Sequence, residues 1–284
     1  MSQPRKHWIV NVVLVLAILA FVGVSIVPLF GAFNQTQNST QKSTNTRSDL
    51  PSSEQKSKLE DEARGYAQVL QREPENQAAL RGLLETRLQL LSLGVGDVNS
   101  VIQPLEKLAA LNPEQTRYAV LLAQAKQQIG DKEGAATAYR SVLENKPGNL
   151  EALQGMVALL LTQKRPEAAI SLLQDTLSTA SKANTTQPGS VDTVAVQVLL
   201  GNVHASQKNY AQALSVYDQA ISNDQQDFRP ILAKAMLLKE QGKALEAKTL
   251  FTQAAALAPT QYRDEINKRS SESPTPAVTP TLKE

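Results

Sequence analysis

Histidine and cysteine are the side chains that most often carry nucleophilic, proton-transfer or metal chemistry, and this sequence has very few of them. It contains two histidines and no cysteine among 284 residues. The absence of cysteine excludes disulfides, thiol nucleophiles, iron–sulfur clusters and the common zinc modules. His7 and His204 lie too far apart in the sequence to suggest a metal site that needs several histidines. We therefore expect His204 to pack or hydrogen-bond within a helix, and His7 to lie beside the neighbouring cations.

Carboxylates and glycines give no stronger sign of an active site. The acidic run at residues 60–62 and the pair Asp131 and Glu133 are typical of solvated helix faces and turns. The G-V-G at residues 94–96 lacks the spacing of a phosphate-binding loop, and no strand precedes it. A net charge of +2 is too small to indicate nucleic acid. The sequence therefore predicts a protein that is not an enzyme and that uses no metal or other cofactor.

A long apolar run near the start of the chain is typical of a membrane anchor. Residues 8–33 contain no charge and would form a helix about 39 Å long, against a hydrocarbon core of about 30 Å. The alternative is a cleaved signal peptide, but its apolar core spans only about 7–15 residues and an A-x-A-like site would follow. Arg5 and Lys6 precede the run, which favours a short cytoplasmic N-terminus at residues 1–7. We predict a single-pass signal anchor with the remainder of the chain on the exported side, in the periplasm or the thylakoid lumen.

Two polar stretches flank the region that can form a core. Residues 34–57 are rich in Gln, Asn, Ser and Thr without apolar periodicity, which predicts a flexible linker. Residues 263–284 are rich in proline and threonine, which predicts a mostly disordered tail. The aromatic content of 4% disfavours a β-sandwich or barrel. Residues 58–262 are therefore predicted to form the folded domain, and to be all-α.

Small and bulky residues recur in this domain at helical spacing. An alanine is followed four residues later by an aromatic or leucine, and the first two and last two such alanines lie 34 residues apart. The middle pair lies 44 residues apart, which places ten extra residues in a loop at 181–192. Because one helix pair cannot bury such a stripe, several pairs must stack. The stripe residues are Ala135, Tyr139, Ala169, Leu173, Leu200, Gly201, Ala213, Tyr217, Ala220, Ala247, Phe251 and Ala254.

These residues resemble the tetratricopeptide repeat family. The best match is residues 198–224, where Leu200, Gly201 and Tyr217 fall at the positions that the family signature expects. Further matches follow in phase, so the resemblance covers roughly residues 59–259 and implies a solenoid of about five helical hairpins. A degenerate pair of helices is expected at 79–91 and 101–113, and residues 59–74 look like a lone second helix.

The order of features also resembles a narrower group, the SLOW GREEN-type proteins of chloroplasts and their cyanobacterial relatives. Much of this likeness comes from Asp227, Phe228, Arg229 and Pro230. The resemblance implies a thylakoid membrane protein that supports the biogenesis of photosynthetic membranes.

In such solenoids, the first helix of each pair lines a concave wall. The wall predicted here is largely apolar and amide-bearing, so it suits an extended or helical apolar segment better than the acidic carboxyl terminus of a chaperone. The predicted partner-binding residues are Val120, Gln124, Gln127, Gln154, Ala158, Leu161, Val198, Asn202, Leu232, Met236 and Lys239, with Arg81, Glu85 and Ala205 at the same spacing.

Together these features predict a membrane-anchored scaffold that binds a protein partner and assists the assembly of a thylakoid membrane complex. The alternative is a holdase-type accessory of the export machinery that binds translocated, unfolded clients. The expected partners are a protein segment and, through residues 8–33, the lipid bilayer. Nucleic acid and small-molecule substrates are not expected.

Overall fold

A computed structural model describes residues 53–272, and all their regular secondary structure is helical. The chain divides between Tyr118 and Ala119 into two compact units. The helices are α1 Ser53–Arg72, α2 Gln77–Ser92, α3 Asn99–Leu111, α4 Thr116–Gln128, α5 Lys132–Asn145, α6 Leu150–Thr162, α7 Pro166–Thr186, α8 Thr193–Ser206, α9 Tyr210–Asn223, α10 Phe228–Glu240, α11 Ala244–Leu257 and α12 Thr260–Ser271.

In the first unit, α1 packs on α2, and α2 packs on α3. The predicted degenerate pair is therefore present as α2 and α3. The lone second helix expected at residues 59–74 is α1, and it packs on α2, where the Tyr66 ring lies against Gly82. A Cβ atom added there would lie 2.4 Å from the Tyr66 ring, so only glycine lets the ring approach this closely.

In the second unit, each helix from α5 to α11 contacts the next helix along the chain, and α8 contacts α6, α7, α9 and α10. Buried residues therefore occur on every face of α8, as expected of a helix enclosed by others. The predicted all-α array of paired helices is confirmed for the described residues.

The size-alternating stripe lies between these paired helices. All twelve stripe residues are buried, and Ala135, Ala169 and Ala213 are 0% exposed. A Cβ atom added to Gly201 would lie 2.2 Å from the Tyr217 ring, so the absent side chain creates the space that the ring fills. Burial raises the pKa of Tyr139, the equivalent ring in α5, to about 12.

Polar caps mark the beginnings of α2, α6 and α8, three first helices of pairs. The side chains of Asn76, Asn149 and Asp192 accept hydrogen bonds from backbone amides three residues ahead, at 2.9–3.0 Å. Each satisfies a donor in the first turn that has no partner within the helix. These caps fix the point at which the chain enters α2, α6 and α8.

The turn inside each hairpin has the same backbone geometry in five places. One residue takes a positive φ, and the residue after it donates to a carbonyl five positions earlier, as from Arg165 to Leu160 at 2.9 Å. This is the Schellman arrangement, which favours glycine. The residues with positive φ are Gly94, Gly130, Lys164, Lys208 and Gly242.

The ten extra residues form less loop than predicted. Helix α7 continues to Thr186, so the first half of the 181–192 stretch is helical. The chain then turns back, and the Asn184 side chain both donates to the Val191 carbonyl and accepts from the Val191 amide, each at 2.9 Å. These two bonds satisfy backbone groups of the return segment, which explains why the insertion is compact.

The helical region extends beyond both predicted limits. Helix α1 begins at Ser53 rather than at residue 58, and α12 continues to Ser271 rather than stopping at residue 262. Helix α12 is very polar, but Ile266 is 2% exposed and gives the helix an apolar attachment to the fold. Within residues 53–272, we find no helix with the length and apolarity needed to span a membrane. The predicted anchor at 8–33, most of the linker and the end of the tail lie outside the described residues.

Candidate protein-binding surface

The predicted wall residues differ widely in exposure. Gln124 is exposed, whereas Gln127, Gln154, Ala158, Leu161, Asn202, Ala205, Met236 and Lys239 are half-buried. Arg81 and Glu85, in the first unit, are exposed. Val120, Val198 and Leu232 are buried, at 2%, 7% and 9% exposure. These three offer almost no surface to a partner, so the structure does not support them as partner-binding residues.

Val198 shows why spacing alone misplaced part of the wall. It belongs to a buried cluster with Ala213 and Tyr217 of α9 and Ala233 and Leu237 of α10. Its methyl groups therefore join two successive repeats. Because α8 is enclosed by four helices, a residue predicted to face a groove packs against a neighbouring helix instead.

Asn202, also on α8, is engaged within the protein. The Tyr217 hydroxyl donates a hydrogen bond of 2.6 Å to the Asn202 side-chain oxygen. Burial is the main cause that raises the Tyr217 pKa, and the negative charge of Glu240 adds to it, so the hydroxyl remains a donor at neutral pH. Asn202 therefore orients the buried ring, and its oxygen is already paired.

The predicted wall on α10 is contacted by α12. The Lys239 ammonium donates to the main-chain carbonyl of Arg269, and the Arg269 guanidinium lies 3.9 Å from the Met236 sulfur. The Phe228 and Tyr262 rings stack with their centres 5.7 Å apart. Met236 and Lys239 thus contribute to the attachment of the last helix.

Helices α4 and α6 retain the accessible part of the predicted wall. We use the name α4–α6 face for these accessible positions on the two helices, which are Gln124, Gln127, Gln154, Ala158 and Leu161. It combines three amides with two aliphatic side chains, and all five are exposed or half-buried. Amides both donate and accept hydrogen bonds, so they can bond the backbone of an extended or helical segment whose apolar side chains contact Ala158 and Leu161.

An ionic cluster that the sequence did not suggest joins the starts of α8 and α10. Arg229 donates to Asp192 at 2.6 and 3.1 Å, and to Asp227 at 2.5–3.0 Å. Asp192 and Asp227 are the N-caps of the two helices, so one guanidinium connects two caps. The motif Asp227 to Pro230, noted above only for a resemblance, therefore has a structural role. The only feature of the sequence that could have indicated this cluster is the aspartate at the N-cap of each helix.

The charges in this cluster shift each other's pKa. The hydrogen bond to Asp227 is the main cause that raises the Arg229 pKa, with Asp192 contributing. Burial alone would raise the Asp192 pKa, but the Arg229 hydrogen bond and charge, with the bond from the Ala195 amide, hold it below its ordinary value. Arg229 and Asp192 therefore remain charged at neutral pH, and the cluster acts as a structural bridge.

His204 has an unusual environment but no cluster around it. Its Nδ1 atom is buried without a hydrogen-bond partner, so the hydrogen-bonding alternative raised from the sequence finds no support at that atom. Among residues 53–272, no three histidine, aspartate or glutamate side chains come together in a way that could hold a metal ion.

Comparison with known sequence families identifies the repeats. Residues 120–188 and residues 194–227 each match the tetratricopeptide repeat. These segments span α5 to α9 and the last nine residues of α4, and they include the α4–α6 face. They are tetratricopeptide repeats, a fold that commonly serves as a scaffold for protein interaction.

Two curated proteins are similar over longer stretches. The protein SLOW GREEN 1, chloroplastic, of Arabidopsis thaliana is 27% identical over 199 residues, which cover 70% of this chain and 60% of the relative. Cellulose synthase operon protein C of Pseudomonas fluorescens (strain SBW25) is 28% identical over 152 residues, covering 53% of this chain and 12% of that protein. The matched region thus spans less than two thirds of either relative.

Solved structures support the fold. The crystal structure of yeast Tom70 superposes with a TM-score of 0.51 at 16% identity, covering 79% of this chain and 43% of that one. At this identity, the likeness concerns the helical-repeat architecture alone.

Proposed function

We propose that this chain is a membrane-anchored scaffold whose α4–α6 face holds a segment of a partner protein during the assembly of a thylakoid membrane complex. The observation that carries the proposal is the contrast in accessibility along the predicted wall. The α4–α6 face keeps amides and aliphatic groups accessible, whereas Asn202, Met236 and Lys239 are already engaged within the fold.

The chemistry of this face favours a particular class of ligand. It carries no charge, so electrostatic attraction contributes little to affinity or to the association rate. The aliphatic groups favour an apolar segment, and the three amides favour one whose backbone groups are accessible. A short apolar stretch of a membrane-complex subunit meets both conditions.

The anchor and the side of the membrane are part of the proposal. Residues 8–33 would hold the chain to the bilayer, with the repeats on the exported side, in the thylakoid lumen or periplasm. The likeness to SLOW GREEN 1, chloroplastic, supports a photosynthetic membrane as the setting. Protease added to intact, correctly oriented vesicles should leave the repeats protected, and digestion before the vesicles are opened would contradict this orientation.

The second candidate is a holdase for unfolded clients on the exported side. The specific observation in its favour is the same uncharged face, because amide and aliphatic contacts discriminate little between client sequences. The two candidates differ in the number of partners, since a scaffold has a dedicated partner and a holdase has many.

Site-specific crosslinking tests both candidates. The chain has no cysteine, so Leu161→Cys can carry a thiol photocrosslinker at one point of the α4–α6 face. Glu144→Cys, at an exposed position of α5, is the matched control. In native membranes, Leu161→Cys should crosslink one or two membrane-complex subunits that Glu144→Cys does not reach. A broad mixture of exported proteins would favour the holdase. Equal labelling from the two positions would contradict both functions.

A further inference from the structure

A groove of about 240 Å³ lies between α1, α2 and α3 of the first unit. Leu80, Leu83 and Pro104 form its buried floor, and Leu70 lines it from α1. Arg87 and Lys107 stand at its edge and are half-buried. The groove therefore combines an aliphatic floor with two cations.

The position of Arg87 follows from a proline within α3. Pro104 has no N–H, so it cannot donate to the Ser100 carbonyl one turn earlier. Arg87 of α2 donates one of its five N–H groups to that carbonyl instead. The remaining donors of the guanidinium stay available on the groove side.

Both cations lack a compensating negative charge. The Lys107 ammonium donates to the Pro74 carbonyl at 3.0 Å, and Arg87 to the Ser100 carbonyl, so both contact neutral acceptors. Within the described part of the chain, neither has a carboxylate at ion-pair distance. Burial lowers the Arg87 pKa, as expected for a cation without an anionic partner. An anion in the groove would relieve this cost.

This groove is distinct from the predicted wall. Arg81 and Glu85, the predicted wall residues of α2, lie two positions before and after Leu83. At about 100° per residue, they project from nearly the opposite side of the helix. A ligand in the groove would therefore not occupy the predicted wall of α2.

The size of the groove favours part of a polypeptide as its occupant. Pockets for small molecules usually measure about 300–1,000 Å³, so this one suits one or two side chains better than a metabolite. The linker before α1 offers Asp49 and Leu50, but the groove begins at Ala67. The helix from Ser53 to Ala67 is about 21 Å long, whereas the four residues from Asp49 span at most about 14 Å.

We infer that this groove binds a segment of a partner protein in which a carboxylate lies next to an aliphatic side chain. The aliphatic group rests on Leu80, Leu83 and Pro104, and the carboxylate pairs with Arg87 and Lys107. The exposed amides of Gln71 and Gln103 can bond the backbone of the segment. The site differs in position and charge from the α4–α6 face, so it does not rest on the proposed function.

Peptide binding to the full chain in nonionic detergent tests this inference. The probe is a fluorescein-labelled octapeptide, GSELELSG, and its matched control is GSQLQLSG, with binding followed by anisotropy. The acidic peptide should bind at least tenfold more tightly, because each charge-assisted hydrogen bond exceeds a neutral one. Equal affinity for the two peptides would overturn the proposal. So would equal affinity for hexaglutamate, which would show charge attraction without the aliphatic contact.

Three variants place the binding in the groove. Lys107→Gln should weaken GSELELSG about tenfold or more, and Ala67→Phe, which fills the groove without changing charge, should abolish its binding. The control Lys58→Gln removes an equivalent charge at an exposed position of α1 that does not line the groove. Unchanged binding by both groove variants, or equal loss with Lys58→Gln, would overturn the proposal. Circular dichroism of each variant shows whether the fold is retained.

Discussion

The α4–α6 face and the corresponding face of α10 occupy the same positions in their repeats, but they differ in what covers them. Gln154, Ala158 and Leu161 on α6 remain partly accessible. On α10, Leu232 is buried, and Met236 and Lys239 contact Arg269 of α12. The sequence spacing that selected these residues is identical, so spacing does not determine which of them a partner can reach.

The difference shows that accessibility in a repeat array depends on the next helix as much as on the helix itself. Each repeat buries surface mainly against its neighbours, so a terminal helix can cover residues that an internal repeat leaves open. Helix α12 does this with few apolar residues, since Ile266 is its one buried residue. Its contacts with α10 include the Phe228–Tyr262 stack, the hydrogen bond from Lys239 to the Arg269 carbonyl and the approach of Arg269 to the Met236 sulfur.

The largest effect is expected from removing the apolar attachment of α12. Ile266→Ala should destabilise the packing of this helix by about 2–5 kcal/mol, because it leaves a cavity at a fully buried site. Opening of α12 should then expose position 236. In a Met236→Cys background, labelling by a thiol reagent should accelerate about thirtyfold or more, since about 1.4 kcal/mol corresponds to a factor of ten.

Asn267→Ala is the matched control, since Asn267 is exposed on the same helix. Leu161→Cys, on the α4–α6 face, should label rapidly whether or not Ile266 is replaced. If Met236→Cys labels as fast as Leu161→Cys in the otherwise native chain, the contrast between the two faces is wrong.

A smaller loss of stability, of similar size in two consecutive repeats, is expected from substitutions in the interior. Ala169 and Ala213 are each 0% exposed, in the second helices of consecutive repeats. Replacement of either by leucine should cost about 1–3 kcal/mol through overpacking. Gln212→Leu, at an exposed neighbouring position, should change stability by less than about 0.5 kcal/mol. Thermal unfolding followed by circular dichroism should show similar losses for the two alanines, and a large difference between them would mean that the regions also differ inside.

The smallest effect concerns the bridge between the starts of α8 and α10. Asp192→Asn keeps a cap acceptor but removes the charge that faces Arg229. Because both side chains are more than a third exposed, the loss at pH 7 should be below about 1 kcal/mol. The Asp192 pKa is lower in the folded than in the unfolded chain, so its stabilisation is present above the unfolded pKa and is lost as the pH falls through the folded one.

The stability difference between the native chain and Asp192→Asn should therefore shrink as the pH falls below about 4. Asp264→Asn, at an exposed position of α12, serves as the control. A difference that grows on acidification would mean that Arg229 does not stabilise the Asp192 carboxylate.

The interior was predictable because it depends on short-range periodicity. The spacing of Ala135 and Tyr139 repeats along the chain, and the structure buries every member of that stripe. The covered wall on α10 was not predictable, because it depends on Arg269, thirty residues beyond Lys239, in a segment with almost no apolar pattern. The groove in the first unit depends on Arg87 meeting a carbonyl left unpaired by Pro104, which requires the packing of α2 on α3. The binding roles of the α4–α6 face remain predictions.

The shared hairpin turn has a consequence for how freely the sequence can vary. Lys164 and Lys208 adopt positive φ where three equivalent turns have glycine. A left-handed backbone costs a non-glycine residue about 1–2 kcal/mol, yet the same pair of backbone hydrogen bonds forms in all five turns. The backbone hydrogen bonds therefore specify the bend, and a side chain at its apex meets no neighbouring atom at Gly94, Gly130 or Gly242 but carries the cost of the left-handed backbone. Both hydrogen bonds span the apex, so these turns should tolerate the exchange of one side chain better than any change in the length of the loop.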